Sequence, residues 1–77
     1  MKDIKILGTG CAKCNKLEEM ARKAAEENGA EFTVEKVKDI NKIMEFGVMT
    51  TPALVVDGEV KVAGKVPSLD ELKKLIG

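Results

Sequence analysis

The chain has no histidine, no tryptophan and no tyrosine. Without histidine there is no imidazole base, and the two cysteines cannot complete a four-ligand zinc site within one chain. No stretch approaches the roughly 18 apolar residues that a membrane-spanning helix needs. The N-terminus carries one lysine, then Asp3 and a short strand-like segment, which is not the pattern of a signal peptide. Charge of either sign is balanced, with 13 basic and 13 acidic side chains. A net charge of zero gives no electrostatic footprint for nucleic acid or an anionic membrane. There is no glycine-rich phosphate loop, no paired-carboxylate site, no repeat, no low-complexity tract and no linker.

Cysteine is scarce as well, and its placement is informative. The only two are Cys11 and Cys14, in the stretch Gly10-Cys-Ala-Lys-Cys-Asn15. Two thiols at this spacing can close a small disulfide, reopen it, or grip a soft metal. As a structural staple the pair is poor, because so small a loop removes little entropy from the unfolded chain. With 77 residues the chain is expected to form one small domain, 1–77, with a limited core and a modest stability margin. The expected compartment is a reducing cytosol, where a C-x-x-C is more often catalytic or metal-binding than structural.

The hydropathy pattern gives the order of elements. Residues 2–7 read as a strand carrying Ile4, Ile6 and Leu7. A helix follows from about Cys11 to Asn28, with Cys14, Leu17, Ala21, Ala24 and Ala25 at three- and four-residue spacing. Its other face, from Lys13 and Lys16 to Glu26 and Glu27, is a solvated one. Gly29 is placed to cap the helix. Phe32 and Val34 alternate with polar residues in a second strand, whose phase breaks at Val37. Asp39 can cap a short helix carrying Ile40, Ile43 and Met44, ended by Gly47. Asp57-Gly58 between two β-rich runs predicts a hairpin of strands at about 52–57 and 59–63. Ser68 and Glu71 form a capping box for a last helix with Leu69, Leu72, Leu75 and Ile76 on its apolar face. The result is an α/β domain, β-α-β-α-β-β-α, with a four-stranded mixed sheet flanked by three helices. The first two strands are expected to run parallel, and helices must cover both sheet faces.

At a helix start, Cys11 meets unpaired backbone N–H groups and the positive end of the helix dipole, both of which favour a thiolate. Lys13 and Lys16 are close in sequence, and Lys13 is a candidate tuning residue. Cys14, one turn on, is expected to be less exposed and less acidic. This asymmetry suits an attacking Cys11 and a resolving Cys14. The plainer alternative, two small buried apolar side chains, would leave their spacing at a strand–helix turn a coincidence.

A strand, turn, C-x-x-C and helix, then Thr51-Pro52 entering a hairpin and a capped closing helix, together resemble the thioredoxin family. The resemblance covers nearly the whole chain and is closest to its small, glutaredoxin-sized members. It implies a thioredoxin/glutaredoxin-like fold and dithiol–disulfide exchange on protein disulfides with no bound cofactor. It further implies that Pro52 has a cis peptide bond and lies against the cysteine pair. The backbone of Thr51 would then offer hydrogen bonds to an extended substrate segment. The chain departs from the family in having Gly10 where a tryptophan usually precedes the first cysteine, and Ala12-Lys13 where Gly-Pro usually separates the two. Met49 or Val48 could replace the missing apolar lip, although a core methionine is the plainer expectation for Met49. The buried acid that assists the second thiol in thioredoxins has no clear match. A single Gly64 before Lys65-Val66-Pro67 argues against glutathione and for a thioredoxin-reductase-type electron donor. A small neutral domain of this kind is expected to be a monomer.

Two other readings remain open. A soft-metal chaperone would use the same thiols for Cu(I) or Zn(II). However, such domains usually place methionine where this chain has Thr9, and end in a strand rather than a helix. A non-catalytic thioredoxin-fold interaction module would keep the fold and leave the cysteines idle.

Overall fold

A computed structural model of the chain describes residues 2–10, 12–29 and 31–77. In chain order the elements are β1 (Lys2–Leu7), α1 (Ala12–Glu27), β2 (Phe32–Val37), α2 (Ile40–Glu45), β3 (Ala53–Val56), β4 (Glu59–Ala63) and α3 (Leu69–Ile76). The strands form one mixed sheet in the order β2-β1-β3-β4. β1 runs parallel to β2 and antiparallel to β3, and β4 pairs antiparallel with β3.

Side-chain alternation along these strands divides the core in two. Ile4, Ile6, Leu54, Val56 and Val62 point to one face, where α1 and α3 cover them with Leu17, Ala21, Ala24, Leu72 and Ile76. Leu7, Val37, Ala53 and Val55 point to the other face and pack with Ile43 of α2 and with Val48. The broken phase at Val37 follows from this division. Phe32 and Val34 lean on the α1/α3 core, whereas Val37 joins the α2 core. β3 is buried on both faces, which is why all four of its residues are apolar. Burying each large aliphatic side chain here stabilises the fold by roughly 1.5–3 kcal/mol.

All five apolar positions read into α1, from Cys14 to Ala25, are buried. The α1 and α3 ends are tied by Asn28 Nδ2 donating to the Lys73 carbonyl at 2.9 Å and by a Lys73–Glu27 ion pair at 3.4 Å. Asp39 caps α2 by accepting from the Asn41 N–H at 2.9 Å, and Ser68 caps α3 by accepting from the Glu71 N–H at 3.3 Å. In the hairpin, Asp57 and Gly58 have φ of 52° and 83°, the left-handed pair that a tight two-residue turn requires. Asp57 also exchanges backbone and side-chain hydrogen bonds with Asp3, at 2.8 and 2.9 Å, which fixes the hairpin against β1.

α2 forms where expected and buries only part of its apolar surface. Of its three apolar residues only Ile43 is buried, while Ile40 and Met44 are exposed. A helix of six residues makes fewer than two turns, so one position is covered by the sheet and its apolar neighbours face water. Among the described residues, no helix is long and apolar enough to cross a membrane.

Candidate active site

The carboxyl ends of β1 and β2, the start of β3, the end of β4 and the beginning of α1 meet at one end of the sheet. The pairing of Leu7 with Ala53 brings Gly8, Thr9 and Gly10 alongside the residues that enter β3. Gly8 extends the β1–β2 pairing by donating its N–H to the Val37 carbonyl at 3.0 Å. Cys11 lies outside the described residues.

Cys14 occupies the first turn of α1 and is 4% exposed. Its side chain faces the buried backbone of Gly8. A Cβ built on Gly8 would collide with the Cys14 sulfur and lie 3.0 Å from the Cys14 Cβ. Gly8 therefore makes room for the thiol. Sequence reasoning passed over this residue. The signal available was a second glycine two residues before Gly10, just ahead of the cysteine pair.

A small pocket with a volume of about 10 Å³ lies beside Cys14, bounded by Gly8, Gly10, Asn15, Lys36 and Lys38. This is about the space of one water molecule. Its polar lining is basic and amide, with no carboxylate among the described residues that bound it. Lys36, which lines this pocket, pairs with Glu18 at 3.1 Å, and Glu18 also pairs with Arg22 at 3.4 Å. Burial works against the Glu18 charge. Hydrogen bonds and charge from Lys36 and Arg22 outweigh it and hold the carboxyl below the usual glutamate range.

The Thr51–Pro52 peptide bond is cis. Pro52 is fully buried, and Thr51 is exposed. The Pro52 carbonyl accepts from the Gly64 N–H at 2.8 Å, so the β4–α3 connection is fastened to this turn. Gly64 has φ of 79°, and a Cβ on it would come within 2.8 Å of Thr50 Oγ1, so glycine is needed on both counts.

Two grooves flank this turn. One, of about 270 Å³, is apolar and runs from Thr9 and Thr51 to Ile40, Met44 and Met49. Met49 is 95% exposed, which corrects the expectation of a core methionine. The buried residue is its neighbour Val48, which fills the α2-side core. Local sequence offers no means of telling which of these two adjacent apolar residues turns inward. The other groove, of about 490 Å³, is lined by Ala12, Lys13, Lys16, Gly64, Lys65 and Val66. Lys13 therefore stands at its rim, exposed, at the start of α1. Among the described residues, no cluster of three or more Cys, Asp or Glu side chains is arranged to hold a metal ion.

The thioredoxin domain family model matches residues 2–77. A thioredoxin of Methanothermobacter thermautotrophicus is 46% identical over 76 residues, which cover 99% of this chain and 99% of that protein. A thioredoxin of Methanocaldococcus jannaschii is 44% identical over 71 residues, covering 92% of this chain and 81% of that protein. A mixed four-stranded sheet between three helices, a cysteine buried in the first turn of α1 and a match along the whole sheet lead to one assignment: the chain belongs to the thioredoxin domain family.

Proposed function

We propose that the protein is a dithiol–disulfide oxidoreductase acting on protein disulfides. The Cys11 thiolate attacks one sulfur of a substrate disulfide, forming a mixed disulfide and releasing one substrate thiolate, which takes up a proton. Cys14 then loses its proton and attacks the Cys11 sulfur. The second substrate thiol leaves and the Cys11–Cys14 disulfide closes. Two electrons pass from the pair to the substrate, and the two thiol protons end on the substrate sulfurs. A thioredoxin-reductase-type enzyme returns the pair to the dithiol. Thr51 and Pro52 form the substrate-side wall, where an exposed backbone adds an extended substrate segment, and Lys13 tunes the pair. The protein works as a monomer in the reducing cytosol.

The observation that carries this proposal is the burial of Cys14 at the sheet end where Thr51 is exposed. A sheltered second thiol beside an open peptide edge suits capture of a substrate followed by its release. The twofold thioredoxin match supports the same chemistry.

An equilibrium redox titration of the Cys11–Cys14 pair tests it. The readout is thiol alkylation and mass, because the chain has no tryptophan or tyrosine to report by fluorescence. The expected result is a reversible two-electron couple between about −200 and −300 mV. A pair that never closes, or closes only irreversibly, would sink the proposal.

A further inference from the structure

The two grooves beside the Thr51–Pro52 turn differ in chemistry. The apolar one carries no charged lining residue, whereas Lys13, Lys16 and Lys65 line the other, with no carboxylate among its described residues. Seven of the 13 basic side chains make no ion pair among the described residues, and the three groove lysines are among them. Lys2, Lys5, Arg22, Lys36, Lys61 and Lys73 all make ion pairs, while none of the three groove lysines does so among the described residues. All three are exposed. They come from two separate segments, the first turns of α1 and the β4–α3 connection. The bond from Gly64 to Pro52 holds the second segment against the substrate-side turn. Glu19, one turn beyond Lys16, is absent from this groove's lining and shares with Lys16 a neighbouring groove that Lys23 also lines.

We infer that this groove docks an acidic segment of the protein substrate, with Asp or Glu residues flanking the target disulfide on the β4–α3 side. The inference rests on the oxidoreductase reading above and adds the class of substrate that the site favours. Three uncompensated ammonium groups around an open groove of about 490 Å³ attract a short carboxylate-bearing stretch and repel a basic one. With zero net charge the chain as a whole does not attract an acidic partner, so the attraction comes from local charge such as this groove's. Substrates are then selected by charge next to the disulfide rather than by overall charge. Exposed charges act mainly on encounter, so the effect falls with added salt.

The test uses three peptides of equal length, each with one internal disulfide flanked by Glu, by Gln or by Lys. The fully reduced protein is mixed with each, and the second-order rate constant is read by acid quench, alkylation and mass. Each rate is divided by that peptide's rate with dithiothreitol, which removes differences in intrinsic disulfide reactivity. In the reaction with the protein each peptide disulfide becomes two thiols as the Cys11–Cys14 pair becomes a disulfide. At low salt the Glu peptide should react about tenfold faster than the Gln peptide, and the Lys peptide slowest. The gap should close near 1 M salt, where the screening length is about 3 Å. A Lys16→Glu/Lys65→Glu variant should invert the order. Lys13 is left in place because it separates the two cysteines. Equal normalised rates for the three peptides, or an order that survives the charge reversal, overturn the acidic-segment inference and leave the oxidoreductase reading standing. Failure to reduce any of them removes the oxidoreductase reading, and the inference falls with it.

Discussion

Gly8 and Cys14 occupy complementary space: a methyl group on Gly8 would collide with the Cys14 sulfur. The residue just past β1 thus sets how deeply the second thiol of the pair can sit. Gly8 also bonds to Val37 at the end of β2, so its backbone cannot retreat without losing a sheet hydrogen bond. Gly8→Ala should therefore destabilise the fold by about 1–3 kcal/mol through overpacking. Urea unfolding followed by far-ultraviolet circular dichroism measures this. In a Cys14→Ala background the sulfur is gone and most of that cost should disappear. A cost unchanged by removing the sulfur would show that the glycine is needed for another reason.

The two cysteines should separate in function when replaced one at a time. Cys11→Ser should abolish disulfide exchange, since no attacking thiolate remains. Cys14→Ser should still form the mixed disulfide but lack the group that resolves it, so substrates stay attached. Non-reducing electrophoresis and mass of the trapped adducts distinguish the two. Full activity in Cys11→Ser would reverse the assignment of roles.

Gly64 combines two constraints that substitution can pull apart. Its left-handed φ of 79° should cost an alanine about 1–2 kcal/mol by itself, and the approach to Thr50 Oγ1 adds a steric cost. Gly64→Ala should therefore destabilise by more than the conformational cost alone. In a Thr50→Ala background the clash with Oγ1 is gone, so the cost should fall to the conformational part plus the milder approach to the Thr50 Cβ at 3.1 Å. Chemical denaturation of the four proteins of this cycle gives both parts.

Glu18 gives the fold an acid-sensitive contact. Its folded-state pKa lies below the ordinary value of 4.5, because Lys36 and Arg22 favour the charged carboxylate. Its contribution is thus fully present above the unfolded-state pKa, and is lost as pH falls through the lower folded-state value. Glu18→Gln should destabilise the protein at pH 7 by no more than about 1 kcal/mol, since water screens half-exposed Arg22 and Lys36. The difference between the two proteins should shrink steadily below pH 4.5. Urea midpoints measured across that range would show it; a gap that grows on acidification would contradict the pairing.

The element order, the faces of α1 and α3 and the hairpin turn followed from the sequence alone. Each rests on local rules: a 3.6-residue apolar period from Cys14 to Ala25, a Ser68 cap, and two left-handed positions that Asp57-Gly58 readily adopts. The C-x-x-C and Thr51-Pro52 were equally legible, because a motif is a matter of spacing. What required the tertiary structure was every relation between distant segments. That Gly8 faces Cys14, that Gly64 fastens to Pro52 and that Lys65 joins Lys13 and Lys16 around one groove depend on the sheet register. The exposure of Met49 and burial of Val48 were decided in the same way. Two adjacent apolar residues are equivalent to any local rule, and only the shape of the α2-side core, already filled by Leu7, Val37 and Val55, determines which of them fits.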